Sequence, residues 1–338
     1  MTNLVILGEA YGEREEAEGL PFVGASGYEL TRMLDAAGIH KADCHLTNVL
    51  NLRPPGNKIE ALCGTKAEGI PGFPAIAKAK YLRAEFQPEL ERLSNELIDH
   101  DPNLILCLGN TALWALTGQT GVKKRRGTTS VSTHTVSGYK LLATYHPAAV
   151  LRQWELRPVT IIDLMKAERE RWFPEVRRPQ REIWIEPTIP DMELFYAQHI
   201  VGCRLLSVDI ETSGNQITCI GFAPRADVAL VVPFVDYRRK ERNYWASPAD
   251  EQQAWRFVRQ ILTNESIPKV YQNGLYDIAF CLRSMGLPTF GAQHDTMLLH
   301  HALQPEMLKG LGFLGSVYTD EGSWKSERKV VATIKSDE

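Results

Sequence analysis

The sequence predicts an α/β protein in two parts: an N-terminal three-layer α/β/α domain with a parallel central sheet, then a C-terminal mixed-sheet domain. Three observations predict it. Apolar runs of strand length alternate with stretches of helical period through the first half, the pattern of a parallel sheet covered by helices. In the second half three strand-like runs follow one another before helix and strand alternate again. Between the halves, Arg171-Trp172-Phe173-Pro174-Glu175-Val176-Arg177-Arg178-Pro179-Gln180-Arg181 breaks the period with prolines and arginines. The expected layout is a first domain at 1–172, a linker at 173–182 and a second domain at 183–338.

In chain order, the aliphatic run Leu4–Leu7 reads as a strand, and Tyr28–Ala37, with apolar residues at helical spacing, as a helix. Strand Cys44–Asn48, helix Arg83–Asp99, strand Leu104–Leu108 and helix Asn110–Thr117 follow on the same two criteria. Strand Tyr139–Ala143 and helix Val159–Glu170 close the first part. After the linker come strand Trp184–Ile185, helix Pro190–Ile200 and the three strands Leu205–Ile210, Gln216–Ala223 and Asp227–Pro233. Helix Pro248–Leu262, strand Lys269–Gln272, helix Leu275–Ser284 and helix Asp295–Leu303 complete the set.

The 338 residues are about two domains long, and 44% hydrophobic content suffices for ordinary cores. A net charge of −3 gives no global basic signature, so nucleic-acid contact must come from local patches such as Lys123-Lys124-Arg125-Arg126. Six cysteines are scattered singly, without a Cys-x-x-Cys pair, and read as reduced thiols. No apolar run approaches the roughly 20 residues of a membrane span. The expectation is a cytoplasmic monomer with no membrane partner.

Two distant segments concentrate the chemistry of the first part. Gly8-Glu9-Ala10-Tyr11-Gly12 leads to Pro21-Phe22-Val23-Gly24, and Thr144-Tyr145-His146-Pro147 is followed by Leu151-Arg152. Each lies just beyond a strand, where α/β domains place their sites. An acid, an aromatic ring and a histidine delivered there suit a flat polar base flipped out of a nucleic-acid stack. Glu9 is placed to orient water and offset positive charge on a sugar. Phe22 is placed to stack on the base. The Asn48 amide is able to donate to O4 and accept from N3–H of uracil, a pattern that cytosine inverts. His146 is placed to donate to O2 as charge builds on the leaving base. Taken singly, such residues are more often a cap, a core ring or a kinked loop. Joint order and spacing single them out.

These segments, together with Thr47-Asn48-Val49 and Arg53-Pro54-Pro55-Gly56-Asn57, resemble the uracil-DNA glycosylase superfamily, nearest its family 4, over about residues 1 to 170. The resemblance implies catalytic roles for Glu9 and His146 and uracil binding by Tyr11, Phe22 and Asn48. Two departures stand out. Family 4 carries four cysteines around an iron–sulfur cluster; here Leu52 stands at the last of those positions and no cysteine precedes Cys44, so no cluster is expected. Tyr11 replaces a proline, either narrowing the pocket against the thymine methyl or occluding it. DNA contacts are expected from Lys123, Lys124, Arg125 and Arg126, with Leu151 and Arg152 as the wedge beside the flipped nucleotide.

In the second part, Leu205-Leu206-Ser207-Val208-Asp209-Ile210-Glu211-Thr212 carries two acids on one strand face. Asn273-Gly274-Leu275-Tyr276-Asp277 adds an acid in the first turn of a helix. Hard oxygen ligands of this kind suit Mg2+ or Mn2+, so Asp209, Glu211 and Asp277 are the expected metal ligands. Asp295 is expected to cap its helix. The arrangement resembles 3′–5′ exonucleases of the ribonuclease H-like fold, in particular those attached to bacteriophage A-family DNA polymerases. Their third motif, Tyr-x-x-x-Asp or His-x-x-x-Asp, has no counterpart at that spacing: the chain offers Tyr318-Thr319-Asp320 and ends at Asp337-Glu338. The second domain is therefore expected to be incomplete and weak or inactive as a nuclease alone. DNA is the expected partner, with a polymerase polypeptide beside it, in a host cytoplasm if phage-encoded. Two alternatives stand: a non-catalytic DNA-binding module of a polymerase, and an exonuclease completed in trans.

Overall fold

The computed structural model describes residues 3–322; Met1, Thr2 and the stretch from Ser323 on, with Asp337 and Glu338, lie outside the described residues. Two compact units form, one running to Arg178 and joined by the segment from Gly312, the other Pro179–Leu311.

The first unit contains β1 (Leu4–Ala10), α1 (Glu13–Glu18), α2 (Ala25–Ala36), β2 (His45–Leu50), the short pair β3 (Cys63–Gly64) and β4 (Tyr81–Leu82), α3 (Gln87–His100) and β5 (Leu104–Leu108). It continues with α4 (Asn110–Thr117), α5 (Val122–Arg125), β6 (Thr129–Thr133), β7 (Ser137–Thr144), α6 (Pro147–Arg152) and α7 (Arg157–Glu170). The central sheet runs β2-β1-β5-β7-β6, the first four strands parallel and β6 antiparallel at one edge. Every residue of Leu4–Leu7 and Leu104–Leu108 is buried. Continuous aliphatic strands of this kind are stable only where helices cover both faces. In register, Gly8 lies beside Asn48, Leu7 beside Cys107, and Leu108 beside Thr144, so four strands end together. The strand order reverses at β1, where an open parallel sheet leaves a crevice for a ligand.

The second unit comprises β8 (Glu182–Trp184), α8 (Ile189–Phe195), which runs on through a wider turn at Tyr196–Ile200, β9 (Leu206–Ser213), β10 (Gln216–Arg225), β11 (Val228–Pro233), α9 (Pro248–Thr263), β12 (Lys269–Tyr271), α10 (Leu275–Met285), β13 (Ala292–Asp295) and α11 (Thr296–Leu303). Its sheet runs β13-β12-β9-β10-β11-β8 and is mixed: β9, β10 and β11 are antiparallel neighbours, while β12, β13 and β8 join parallel. Strand β13, the polar stretch Ala-Gln-His-Asp, carries no apolar alternation and was not expected.

The last described helix, α12 (Leu311–Tyr318), differs from the expected layout, in which everything from 183 on belongs to the second domain. Phe313 and Val317 pack on the core of the first unit. The buried Lys166 ammonium donates to the Ser316 and Thr319 carbonyls at 2.5 Å each and to Gly127 O at 3.1 Å. A buried ammonium needs such acceptors, and this returning segment supplies two of the three. Thr319 and Asp320 are thus engaged with the first unit, Asp320 pairing with Arg169 at 3.1 Å.

Candidate active site

Four of the expected residues meet above the aligned strand ends, in a closed circuit of contacts. Glu9 is the penultimate residue of β1, one past Gly8. At Gly8 a Cβ would collide with Asn48 Oδ1 and lie 2.6 Å from Phe22 Cζ, so the missing side chain is what lets amide and ring converge. Phe22 has a left-handed backbone, φ 55°, costly for an aromatic residue and held by Lys41 Nζ on its carbonyl at 3.0 Å. Its ring stacks near His146, 6.2 Å between centroids. His146 Cβ lies 3.1 Å from where a Gly109 Cβ would sit, and two residues past Gly109 the Thr111 hydroxyl donates to Glu9 Oε2.

Two supports stand behind this circuit. Arg92 donates to Asn48 O at 2.7 Å and pairs with Glu89 and Glu96. Glu15 accepts the Gly24 N–H at 2.8 Å, tying α1 to the turn that carries Phe22. Tyr11 lies on the same loop; its N–H donates to Leu52 O at 3.1 Å and its hydroxyl to Gly19 O at 3.3 Å. Arg53 Nε donates to Asn57 Oδ1 at 2.8 Å and its guanidinium faces Glu16, which joins the proline-rich turn to α1.

Burial sets the protonation states. It pushes the His146 imidazole down to about 4, with the Arg152 charge acting the same way and Glu15 opposing. The Ala148 N–H donates to His146 Nδ1 at 3.2 Å, so the neutral ring carries its proton on Nε2. Burial raises Glu9 above the usual carboxylate range; the Thr111 hydrogen bond opposes the rise, Glu60 adds to it and Arg152 offsets it. The result is a neutral N–H donor at His146 and a desolvated carboxylate at Glu9, two groups whose environments push them toward different tasks.

The basic run is only partly a surface. Lys123 and Lys124 are exposed on α5 and Arg125 is half-buried. Arg126 is not available to DNA, which corrects that expectation: its side chain is 2% exposed and it forms a buried ion pair with Asp163, itself 0% exposed. Arg126 also donates to Ser316 Oγ at 2.9 Å, and Asp163 accepts from Thr144 Oγ1 at 2.6 Å. Leu151 and Arg152 are exposed at the end of α6, on the helix that His146 begins.

The cysteines do not fit an iron–sulfur cluster. Cys107 is wholly buried inside β5, burial raises the Cys44 thiol to about 11, and among the described residues no three of His, Cys, Asp and Glu gather to hold an ion. In the second unit, Asp209 and Glu211 lie on the exposed face of β9 as their spacing requires. Strand β12 pairs with β9 only as far as Ser207, and the free Ile210 N–H beyond it donates to Asp277 Oδ1 at 3.1 Å. Burial, with Asp209 and Asp295 nearby, pushes Asp277 up to about 6. Asp209 and Glu211 thus share a strand face and Asp277 reaches the same strand from the first turn of α10. Asp295 caps α11, accepting from Met297 N at 2.8 Å, and also accepts from Gly274 N at 2.8 Å.

The sequence pattern does not single out Thr111, Arg92 or Glu15. Thr111 carried a usable signal: Gly109-Asn110-Thr111 ends an all-aliphatic strand and starts a helix, the place where α/β sheets put side chains to work. Arg92 and Glu15 act on backbone atoms, which no residue pattern reports.

A family model described as "Uracil DNA glycosylase superfamily" matches residues 1–173, and one described as "3'-5' exonuclease" matches residues 195–329. A type-4 uracil-DNA glycosylase of Thermotoga maritima is 32% identical over 176 residues, 49% of this chain and 77% of that protein. One of Archaeoglobus fulgidus is 31% identical over 163 residues, 46% and 69%. Among solved structures, Brucella melitensis NrnC aligns at 16% identity with a TM-score of 0.29, over 43% of this chain and 63% of that one, less than two thirds of it. The EXD2 exonuclease domain soaked in Mg and dGMP aligns at 15% identity, TM-score 0.28, over 40% and 69%.

Proposed function

The chain belongs to the uracil DNA glycosylase superfamily, and from that premise we propose that its first unit hydrolyses the N-glycosidic bond of uracil in DNA, in the service of base-excision repair. The observation that carries the reading is the closed circuit of Glu9, Phe22, Asn48 and His146 above the strand ends. In the proposed pose, a flipped uracil stacks on Phe22 and its O4 and N3–H edge is read by the Asn48 amide. Asn48 Oδ1 beside Gly8 and Phe22 supports that geometry. His146 Nε2–H then donates to O2 while negative charge collects on the departing base. Glu9 orients the water and offsets the positive sugar. Lys123, Lys124 and Arg125 take backbone phosphates, Leu151 and Arg152 fill the gap left by the base, and Tyr11 limits access at the pocket's loop side.

The second unit carries a 3′–5′ exonuclease domain. Its proposed role is to hold DNA rather than to hydrolyse it, because no Tyr-x-x-x-Asp or His-x-x-x-Asp stands between Lys309 and Glu338 to add the fourth carboxylate to Asp209, Glu211 and Asp277. The proposed setting is replication beside a polymerase polypeptide, as the exonuclease motifs resemble those of bacteriophage A-family polymerases.

The test uses a 5′-labelled oligonucleotide with one central uracil, incubated with the full chain in EDTA or in Mg2+ and then treated with hot alkali. Cleavage at the uracil in EDTA, lost in Glu9→Ala and His146→Ala, is expected. Intact DNA in EDTA overturns the glycosylase reading, and a ladder shortening from the 3′ end in Mg2+ overturns the passive role of the second unit.

A further inference from the structure

Gly109, Asn110 and Thr111 form one step from strand β5 into helix α4, and each of the three touches a different part of the proposed site. Gly109 packs on His146 Cβ, and its N–H donates at 2.9 Å to the carbonyl of Thr144, two residues before His146. Its φ of 90° strains any other residue, and a Cβ there would press on His146 Cβ at 3.1 Å. Asn110 Oδ1 accepts the Gly121 N–H at 3.0 Å and the Val122 N–H at 2.9 Å, fixing the start of α5, on which Lys123 and Lys124 stand. The Thr111 hydroxyl, on a residue 2% exposed, donates to Glu9 Oε2.

We propose that Thr111 and Asn110 are positioning residues that register the two halves of the reaction from one rigid step: Thr111 fixes the Glu9 carboxylate in the pocket, and Asn110 fixes the phosphate-binding turn. This inference rests on the glycosylase reading and deepens it. A carboxylate that must orient water gains from having one oxygen held, because the other then has a defined direction. The step sits at the end of a strand buried along its whole length, so it moves little relative to the sheet. Neither residue touches the base in this account; both act through others.

The two roles predict different kinetic signatures. Thr111→Val keeps the shape and removes the donor, and it is expected to lower kcat roughly ten- to a hundredfold, the size of one charge-assisted hydrogen bond. Because that bond opposes the upward push of burial on Glu9, its loss also moves the acid limb of the kcat profile to higher pH. The other charges facing Glu9, those of Glu60 and Arg152, are the same in both proteins, so the movement reports Thr111 alone. Thr111→Ser restores the hydroxyl and is expected to recover both rate and limb. Asn110→Ala is expected to act on KM, raising it several-fold, as one misplaced turn of phosphate contacts would, with the acid limb where the wild type has it.

The measurement is steady-state kinetics on a uracil oligonucleotide in EDTA from pH 4.5 to 8.5, with anisotropy binding to a uracil-free oligonucleotide alongside. A wild-type protein without uracil cleavage sinks the functional reading itself. An active wild type with Thr111→Val at full rate, or with Thr111→Val and Thr111→Ser equally impaired, sinks the role of Thr111. Wild-type DNA affinity in Asn110→Ala sinks the role of Asn110.

Discussion

His146 makes the stability of the first unit depend on pH in a direction set by the burial of its imidazole. Its imidazole is held at about 4 against an unfolded value of 6.5, so protonation costs the folded state. The contribution is complete above pH 6.5 and is lost as pH falls toward about 4. A depression of about 2.5 pH units corresponds to about 3 kcal/mol, drawn down at roughly 1.4 kcal/mol per pH unit. The matching perturbation is His146→Asn. Asparagine is a favoured helix N-cap, keeps an acceptor for the Ala148 N–H now bonded to Nδ1, and does not titrate. Calorimetric unfolding of both proteins from pH 7.5 to pH 4 is the assay. The wild type is expected to lose about 3 kcal/mol relative to His146→Asn across that range, or roughly 6–12 °C of melting temperature for a unit of this size. A difference that stays flat with pH, or one in which the wild type gains on acidification, refutes the account of a buried neutral imidazole. The same account places no His146 limb near pH 6.5 in the rate.

Three further outcomes follow from other contacts. Gly8→Ala is expected to abolish uracil cleavage while the protein stays folded, since its Cβ displaces the Asn48 amide and the Phe22 ring; wild-type rate in a folded Gly8→Ala protein counts against the circuit. Arg126→Met strands Asp163 without its partner in a site where the two are 2% and 0% exposed, which costs about 3–5 kcal/mol, and adding Asp163→Leu is expected to recover most of it; calorimetry showing equal loss in single and double variants would mean the pair itself matters little. Glu9→Gln is expected to be inactive but more stable at neutral pH, because a carboxyl raised by burial opposes folding once it ionises; the gain should vanish well below pH 4.5, and a gain that persists there points to a packing effect instead.

What the sequence made legible follows from which signals are local. Leu4–Leu7 and Leu104–Leu108 are aliphatic at every position because both faces are covered, so the strands and their order in the chain could be read directly. Glu9, Phe22, Asn48 and His146 could be singled out because each sits at a strand end or in a turn with its own residue signature. Arg126 could not. It shares a run of four basic residues with Lys123 and Lys124, yet α5 ends at Arg125 and the chain turns inward at the next residue, where Asp163 from α7 waits 37 positions away. The return of α12 to the first unit was hidden for the same reason. Its apolar sequence declares burial, but only the buried Lys166 and the core residues of distant elements say against what.

The two units differ in how much of their chemistry is assembled by packing alone. In the first, every contact of the circuit is neutral or hydrogen-bonded: a ring on a ring, an amide over a glycine, a hydroxyl on a carboxylate, an imidazole with its proton already placed. Such a site forms with the core, because closing it satisfies polar groups that burial would otherwise strand. In the second, the groups that would act are carboxylates, and Asp277 is already driven up to about 6 by burial with Asp209 and Asp295 beside it. Glu211 stands on the same exposed face of β9 as Asp209, so this face collects like charge. The chain therefore carries one site that its own hydrogen bonds complete and one rich in like charge: Glu9 and Asp277 are both raised by burial and each holds a donor, Thr111 and the Ile210 N–H, but two aspartates stand near Asp277.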